Sequence, residues 1–268
     1  MTDRYAVIGN PVAHSKSPWI HAEFARQTGQ EIEYGRIEAP LGGFAHAVDM
    51  FRTAGGRGAN VTLPFKEQAF GYCAKLSNRA RAARAVNTLL FDGEATSGDN
   101  TDGIGLVRDL EANLGMALAG KRVLLIGAGG AAQGVLAPLL EAGVARLVIA
   151  NRKVEKARDL ANRMSAAPVF ACGYDSLAGE SFELIVNATS AGLAGETLRL
   201  PGRLLASGGL AYDMVYGRDT PFLAWARAEG ERACGGSGML VEQAAESFFL
   251  WRGVRPDTRP VLAVLRAG

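Results

Sequence analysis

The stretch Val123-Leu124-Leu125-Ile126-Gly127-Ala128-Gly129-Gly130-Ala131-Ala132-Gln133-Gly134 decides the fold. Four apolar residues ended by glycine read as a buried strand, and a helix of small residues opens after the turn. Such a unit presents backbone N–H groups and the positive end of a helix to a pyrophosphate. The spacing is Gly127-x-Gly129-Gly130-x-x-x-Gly134 rather than the strict G-x-G-x-x-G, so a plain tight turn stands as the alternative here. About 120 residues precede the turn, enough for a separate domain.

Beyond the turn, the next strand, Arg146 to Ala150, runs into Asn151-Arg152-Lys153. An acidic residue there would accept from the ribose 2′-hydroxyl of NAD. Arg152, with Lys153 and Lys156 behind it, instead offers cations to the 2′-phosphate of NADP. A solvated basic loop is the other reading of those charges. Leu184 to Asn187 and Gly209 to Asp213 are further strands, and Met239 to Trp251 and Pro260 to Leu265 are helices. Pro138 is predicted to kink the helix that follows the turn.

Before the turn, Tyr5 to Ile8, Tyr34 to Ile37, Gly58 to Val61 and Ala85 to Phe91 read as strands. Pro18 to Ala25, Phe44 to Phe51 and Asp102 to Leu114 read as helices, the last from Ile104, Val107, Leu110 and Leu114 at helical spacing. Strands alternating with helices predict an α/β protein with mainly parallel sheets.

Composition narrows the class. With 48% hydrophobic and 21% charged residues the chain is globular rather than disordered. A net charge of +2 gives no field that would call for nucleic acid or a membrane as partner. Apolar runs fall short of the 18 or so residues of a membrane span, and the N-terminus lacks the pattern of a signal peptide. Cys73, Cys172 and Cys234 are scattered, with neither CxxC nor metal spacing, so no metal site and a reducing, cytoplasmic setting are expected.

Polar residues at predicted strand ends carry the chemistry. Lys66 follows Asn60-Val61-Thr62-Leu63-Pro64-Phe65, at the carboxyl edge where open α/β sheets collect ligands. Asp102 opens a helix, where the dipole favours a carboxylate and capping alone would explain it. Together, a lysine and an aspartate at two edges can form an ion pair with the lysine poised as acid or base. Ser15 and Ser17, before Pro18, read either as caps or as ligand hydroxyls. Asn87 is polar within an apolar strand, so it bonds across the sheet or touches a ligand. Gln243 lies on the apolar side of its helix, and Tyr216 follows Asp213-Met214-Val215. His14, His21 and His46 show no catalytic or metal spacing and read as surface or capping residues.

In order along the chain stand Gly9-Asn10-Pro11-Val12-Ala13-His14-Ser15-Lys16-Ser17-Pro18-Trp19-Ile20-His21, Asn60 to Lys66, Ala85-Val86-Asn87-Thr88 and Gly98 to Gly103. The glycine turn, Asn151-Arg152, Asn187-Ala188-Thr189-Ser190, Asp213 to Tyr216, and Gly238-Met239-Leu240 with Gln243 complete the series. This set closely resembles shikimate dehydrogenase over essentially the whole chain. The resemblance implies NADPH-dependent, reversible reduction of 3-dehydroshikimate to shikimate, in the biosynthesis of chorismate and the aromatic amino acids.

It also implies an N-terminal α/β substrate domain (1–101) with a mainly parallel sheet and a Rossmann-type NADP-binding domain (102–237). C-terminal helices (238–268) would return to the first domain, with a cleft between the two. The family's catalytic pair falls on Lys66 and Asp102. Its substrate contacts fall on Ser15, Ser17, Thr62, Lys66, Asn87, Asp102, Tyr216 and Gln243. Its cofactor contacts fall on Gly127, Ala128, Gly129, Gly130, Ala131, Asn151, Arg152, Thr189, Met214 and Gly238, and Lys156 joins them from the basic loop. Where the family usually has a small hydroxyl residue after Asn-Arg, this chain has Lys153, which exchanges a hydroxyl contact for a charge. The implied partner is a small molecule, with a homodimer left open. Two rival readings are a quinate/shikimate dehydrogenase using NAD and a non-catalytic sensor of a nucleotide and a carboxylate.

Overall fold

The computed structural model describes residues 2–93, 95–164 and 168–267. It divides into two compact units, Met1–Leu106 with Val241–Gly268, and Val107–Leu240.

The first unit contains β1 (Asp3–Gly9), α1 (Ser17–Thr28), β2 (Ile32–Glu38), α2 (Phe44–Thr53), β3 (Gly56–Val61) and α3 (Lys66–Tyr72). There follow β4 (Lys75–Leu76), α4 (Asn78–Ala83), β5 (Thr88–Asp92), β6 (Ala95–Asp99) and α5 (Asp102–Arg108). The sheet order is β2-β1-β3-β5-β6-β4. β1 pairs in parallel with β2 and β3, as βαβ crossovers require, and β4 pairs in parallel with β6. The sequence reading places no strand between Phe91 and Asp102. The chain instead returns as β6, antiparallel to β5, which is itself antiparallel to β3. Ile8, Phe44, Val48, Val61, Phe65 and Leu89 fill one core of this unit, all at most 2% exposed.

The second unit contains β7 (Arg122–Ile126), α6 (Gly130–Glu141), β8 (Arg146–Ala150), α7 (Val154–Asn162), β9 (Val169–Cys172) and β10 (Phe182–Asn187). It continues with β11 (Leu205–Asp213), α8 (Pro221–Ala228) and β12 (Arg232–Gly235). The order β12-β11-β10-β7-β8-β9 is wholly parallel, a doubly wound sheet whose strand order reverses between β7 and β10. Its strands are near-continuous apolar runs because helices cover both faces. Leu124, Ile126 and Ile185 are fully buried. α9 (Ser237–Arg252) passes from this unit to the first, which α10 (Arg259–Ala267) completes.

One helix differs from the sequence reading. Asp102 to Leu114 is not one α-helix: after Arg108 the turn widens to a π-helix at Asp109–Asn113, with Leu114 N–H bonding Asp109 C=O at 3.0 Å. α6 runs to Glu141 with Pro138 inside it.

Candidate functional site

The residues predicted for substrate, Tyr216 excepted, belong to the first unit, and those predicted for cofactor belong to the second. In the first unit, Lys66 is the first residue of α3 rather than an extension of β3, which ends at Val61. A cation there opposes the helix dipole, so its stabilisation must come from a partner. That partner is Asp102, the first residue of α5, whose Oδ2 lies 2.6 Å from Lys66 Nζ. Both side chains are largely buried, at 17% and 7% exposure, which strengthens the attraction over that of a surface pair.

Asn87 locks this pair. It lies just before β5 rather than inside it. Its Nδ2 donates to Asp102 Oδ1 and Thr101 Oγ1, each at 2.9 Å, and approaches Gln243 Oε1 at 3.3 Å. Its Oδ1 accepts from Thr101 N–H at 2.9 Å and from Thr88 Oγ1 at 2.8 Å. The amide is thereby fixed in orientation, and each oxygen of Asp102 has one donor.

The network extends to residues without a role in the sequence reading. Asn60 donates to Asn87 C=O at 3.1 Å and to Ser247 Oγ at 3.0 Å, and accepts from Tyr34 OH at 2.7 Å. The Tyr34 hydroxyl also reaches the Ser17 side chain, which ties the serine loop to the Lys66 pair. Ser15 and Ser17 are buried, and the Arg36 guanidinium holds Ser15 C=O at 2.6 Å. They do not cap α1 as N-cap side chains: Lys16 occupies that position, while Ser15 Oγ accepts from Ser17 N–H at 3.3 Å. Thr62, half-buried, follows β3 and bonds Ile8 C=O through its N–H. Tyr216 belongs to the second unit and the other predicted substrate residues to the first.

Three buried carboxylates, Asp99, Glu242 and Glu246, are linked by two partly exposed arginines. Arg79 bridges Asp99 at 2.7 Å and Glu246 at 2.9 Å, and Arg255 bridges Glu246 at 3.0 Å and Glu242 at 2.9 Å. This linkage joins Asp99, at the end of β6, to α9, the helix that carries Gln243. His21 corrects the sequence reading. It is fully buried, stacked on Tyr34 at 4.2 Å, and its ring nitrogens make no hydrogen bond of normal geometry among the described residues. Burial lowers its pKa to about 3, against a weak opposing influence of Asn60.

In the second unit the cofactor candidates line the carboxyl edge of the parallel sheet. Gly127, at φ +108°, turns the chain out of β7, a conformation that side-chain-bearing residues rarely adopt. Gly129 caps α6 without any side-chain cap, and a Cβ on Gly129 or Gly130 would enter open space. Ala128 and Ala131 complete that turn. The first N–H groups of α6 are thus left to an anion. After β8, Asn151 Nδ2 holds Lys153 C=O at 2.8 Å, and Arg152, Lys153 and Lys156 are exposed. After β10, Thr189 Oγ1 bonds Asn187 Oδ1 at 2.7 Å; after β11, Met214 N–H bonds Asn187 C=O at 3.0 Å. Gly238 stands in the first turn of α9. An uncapped helix start with three cations at the neighbouring strand end fits a dinucleotide carrying an extra phosphate.

The shikimate dehydrogenase substrate binding domain matches residues 7–89, the shikimate / quinate 5-dehydrogenase domain residues 109–194, and the shikimate 5′-dehydrogenase C-terminal domain residues 236–266. The chain belongs to the shikimate dehydrogenase family. It is 59% identical to the shikimate dehydrogenase (NADP(+)) of Methylobacillus flagellatus over 99% of both chains. Its structure is similar to that of an Ael1 enzyme from Pseudomonas putida, with a TM-score of 0.92, 49% identity and 98% of both chains covered. It is also similar to Thermus thermophilus shikimate 5-dehydrogenase, solved in complex with NADP(H) and shikimate, with a TM-score of 0.89, 35% identity and 99% of both chains covered. No helix among the described residues is long and apolar enough to cross a membrane.

Proposed function

We propose that this chain is an NADP-dependent shikimate dehydrogenase that reduces 3-dehydroshikimate to shikimate in aromatic amino-acid biosynthesis. The observation that carries the reading is the 2.6 Å Lys66–Asp102 pair, oriented by Asn87, in a member of this family. NADPH, when bound, supplies the hydride that reduces the carbonyl carbon. Lys66 gives a proton to the carbonyl oxygen and, in the reverse direction, takes it from the hydroxyl. Asp102 holds the ammonium group at that oxygen.

Ser15, Ser17, Thr62, Asn87, Tyr216 and Gln243 bind the polar groups of the substrate. The turn from Gly127 to Ala131 takes the pyrophosphate, Asn151, Arg152 and Lys156 take the 2′-phosphate, and Thr189, Met214 and Gly238 take the nicotinamide half. The unit that carries Lys66 is the substrate domain, and the doubly wound unit is the NADP domain. The three free thiols suit a reducing cytoplasm.

Absorbance of reduced nicotinamide tests the reading, with shikimate or quinate as substrate and NADP+ or NAD+ as acceptor. Fastest reduction with shikimate and NADP+ is expected. A preference for quinate with NAD+ would replace it by the rival dehydrogenase, and binding without turnover would replace it by the sensor.

A further inference from the structure

Asp109 is fully buried at the start of the π-helical turn, yet it lies outside the pair that does the chemistry. Its Oδ2 accepts from Tyr212 OH at 2.7 Å and its Oδ1 from Asn113 Nδ2 at 3.0 Å. The Tyr212 oxygen in turn accepts from Met239 N–H at 3.2 Å. Burial, then the charge of Asp109, pushes the Tyr212 phenol well above its ordinary range, so it stays protonated and donates. One carboxylate therefore reaches, through one hydroxyl, the backbone of the first turn of α9.

The same carboxylate shapes that turn sterically. A Cβ on Gly238 would overlap the Asp109 carboxylate, and a Cβ on Gly236 would overlap the Met214 carbonyl. Gly238 and Gly236 are glycines because the chain closes on Asp109 at one point and on Met214 at the other. Met214 is held from its other side by Asn187 C=O. The extra residue of a π turn has a consequence here: it departs from the α-helical path where Asp109 meets Tyr212, and such turns recur at functional sites.

We propose that Asp109 is a positioning residue, acting through Tyr212, that fixes the Gly236–Met239 backbone and Met214 as one surface for the nicotinamide end of the dinucleotide. This rests on the reading of Met214 and Gly238 as nicotinamide contacts. The adenosine end, bound at the glycine turn and Arg152, is independent of Asp109.

Calorimetric titration of the full-length protein with NADP+ and with 2′-phospho-ADP-ribose, which lacks nicotinamide, separates the two ends. In Tyr212→Phe the affinity for NADP+ falls on the order of ten-fold while that for 2′-phospho-ADP-ribose stays within about two-fold. Asp109→Asn is the milder variant, because one of two accepting oxygens becomes an amino group; it gives a smaller loss of the same selectivity, about three-fold. It keeps the test open if Tyr212→Phe does not fold. A purely structural role would lower the melting temperature and leave the ratio of the two affinities unchanged. An unchanged ratio in a folded variant therefore overturns the proposal. Wild-type protein that binds the two ligands equally would overturn the nicotinamide reading itself, and the proposal with it.

Discussion

Asn87 Nδ2 donates to Asp102 Oδ1 at 2.9 Å, which leaves Oδ2 to Lys66 at 2.6 Å. The carboxylate cannot rotate without breaking one of the two bonds. Lys66 Nζ thereby has one anchored partner, and its remaining protons are directed away from it, toward whatever binds beside the pair.

Removal of the lysine tests its role most directly. Lys66→Ala should lower turnover by roughly 10² to 10⁴, the usual worth of a positioned acid or base. Affinity for NADP+ should stay near the wild-type value, because the cofactor candidates belong to the other unit. Steady-state kinetics with titration of NADP+ checks both. Wild-type turnover in Lys66→Ala would end the assignment.

Asn87→Asp keeps shape and volume but places a second carboxyl 2.9 Å from Asp102. Two like charges at that distance cannot both ionise at little cost, so they share a proton and one is titrated at raised pH. Activity at neutral pH should fall at least about ten-fold, with a pH–rate profile whose acid limb moves upward. A profile superimposable on the wild type would show that Asn87 does not orient Asp102.

How much of this was readable beforehand depends on the range of the interactions. The β7–α6 unit is legible because its strand, turn and helix are contiguous and each is set by local residue choice. β6 is not: Ala95-Thr96-Ser97-Gly98-Asp99 has no apolar alternation and becomes a strand by pairing with β5 and β4. Lys66, Asp102, Asn87 and Gln243 stand out as polar residues at element ends, and the resemblance gives them roles. Asn60 lies in one of the same motifs, yet its function depends on Tyr34, 26 residues away, and on Ser247. Asp109 reads as an ordinary polar position on a helix, because nothing local announces that Tyr212 will bury it. His21 failed as a surface residue for the same reason: its burial depends on aromatic rings of α9 and β2.

Arg152→Ala addresses the cofactor. Only NADP carries the 2′-phosphate, so loss of a charge-assisted contact of about 1.5–3 kcal/mol should weaken NADP+ roughly ten- to a hundred-fold and leave NAD+ nearly unchanged. Lys153 and Lys156, exposed beside it, should hold the loss toward the lower end. Dissociation constants for both dinucleotides decide the matter. Equal losses would mean that the basic loop reads something other than the phosphate.

The last prediction concerns acid stability. His21 has an ordinary value of 6.5 when unfolded and about 3 in the folded protein, because burial disfavours the charged ring. Between those two values the unfolded chain binds a proton that the folded chain does not. Stability therefore falls as the pH drops below about 6.5, by close to 1.4 kcal/mol per pH unit. From pH 7 to pH 5 this single group costs about 2 kcal/mol. His21→Phe keeps a ring to stack on Tyr34 and removes the proton, so the variant should lose about that much less over the same interval. Urea denaturation of both proteins at the two pH values measures the difference directly. Parallel losses in the two proteins would show that His21 is protonated as easily inside the fold as outside it, and that its burial against Tyr34 carries no acid penalty.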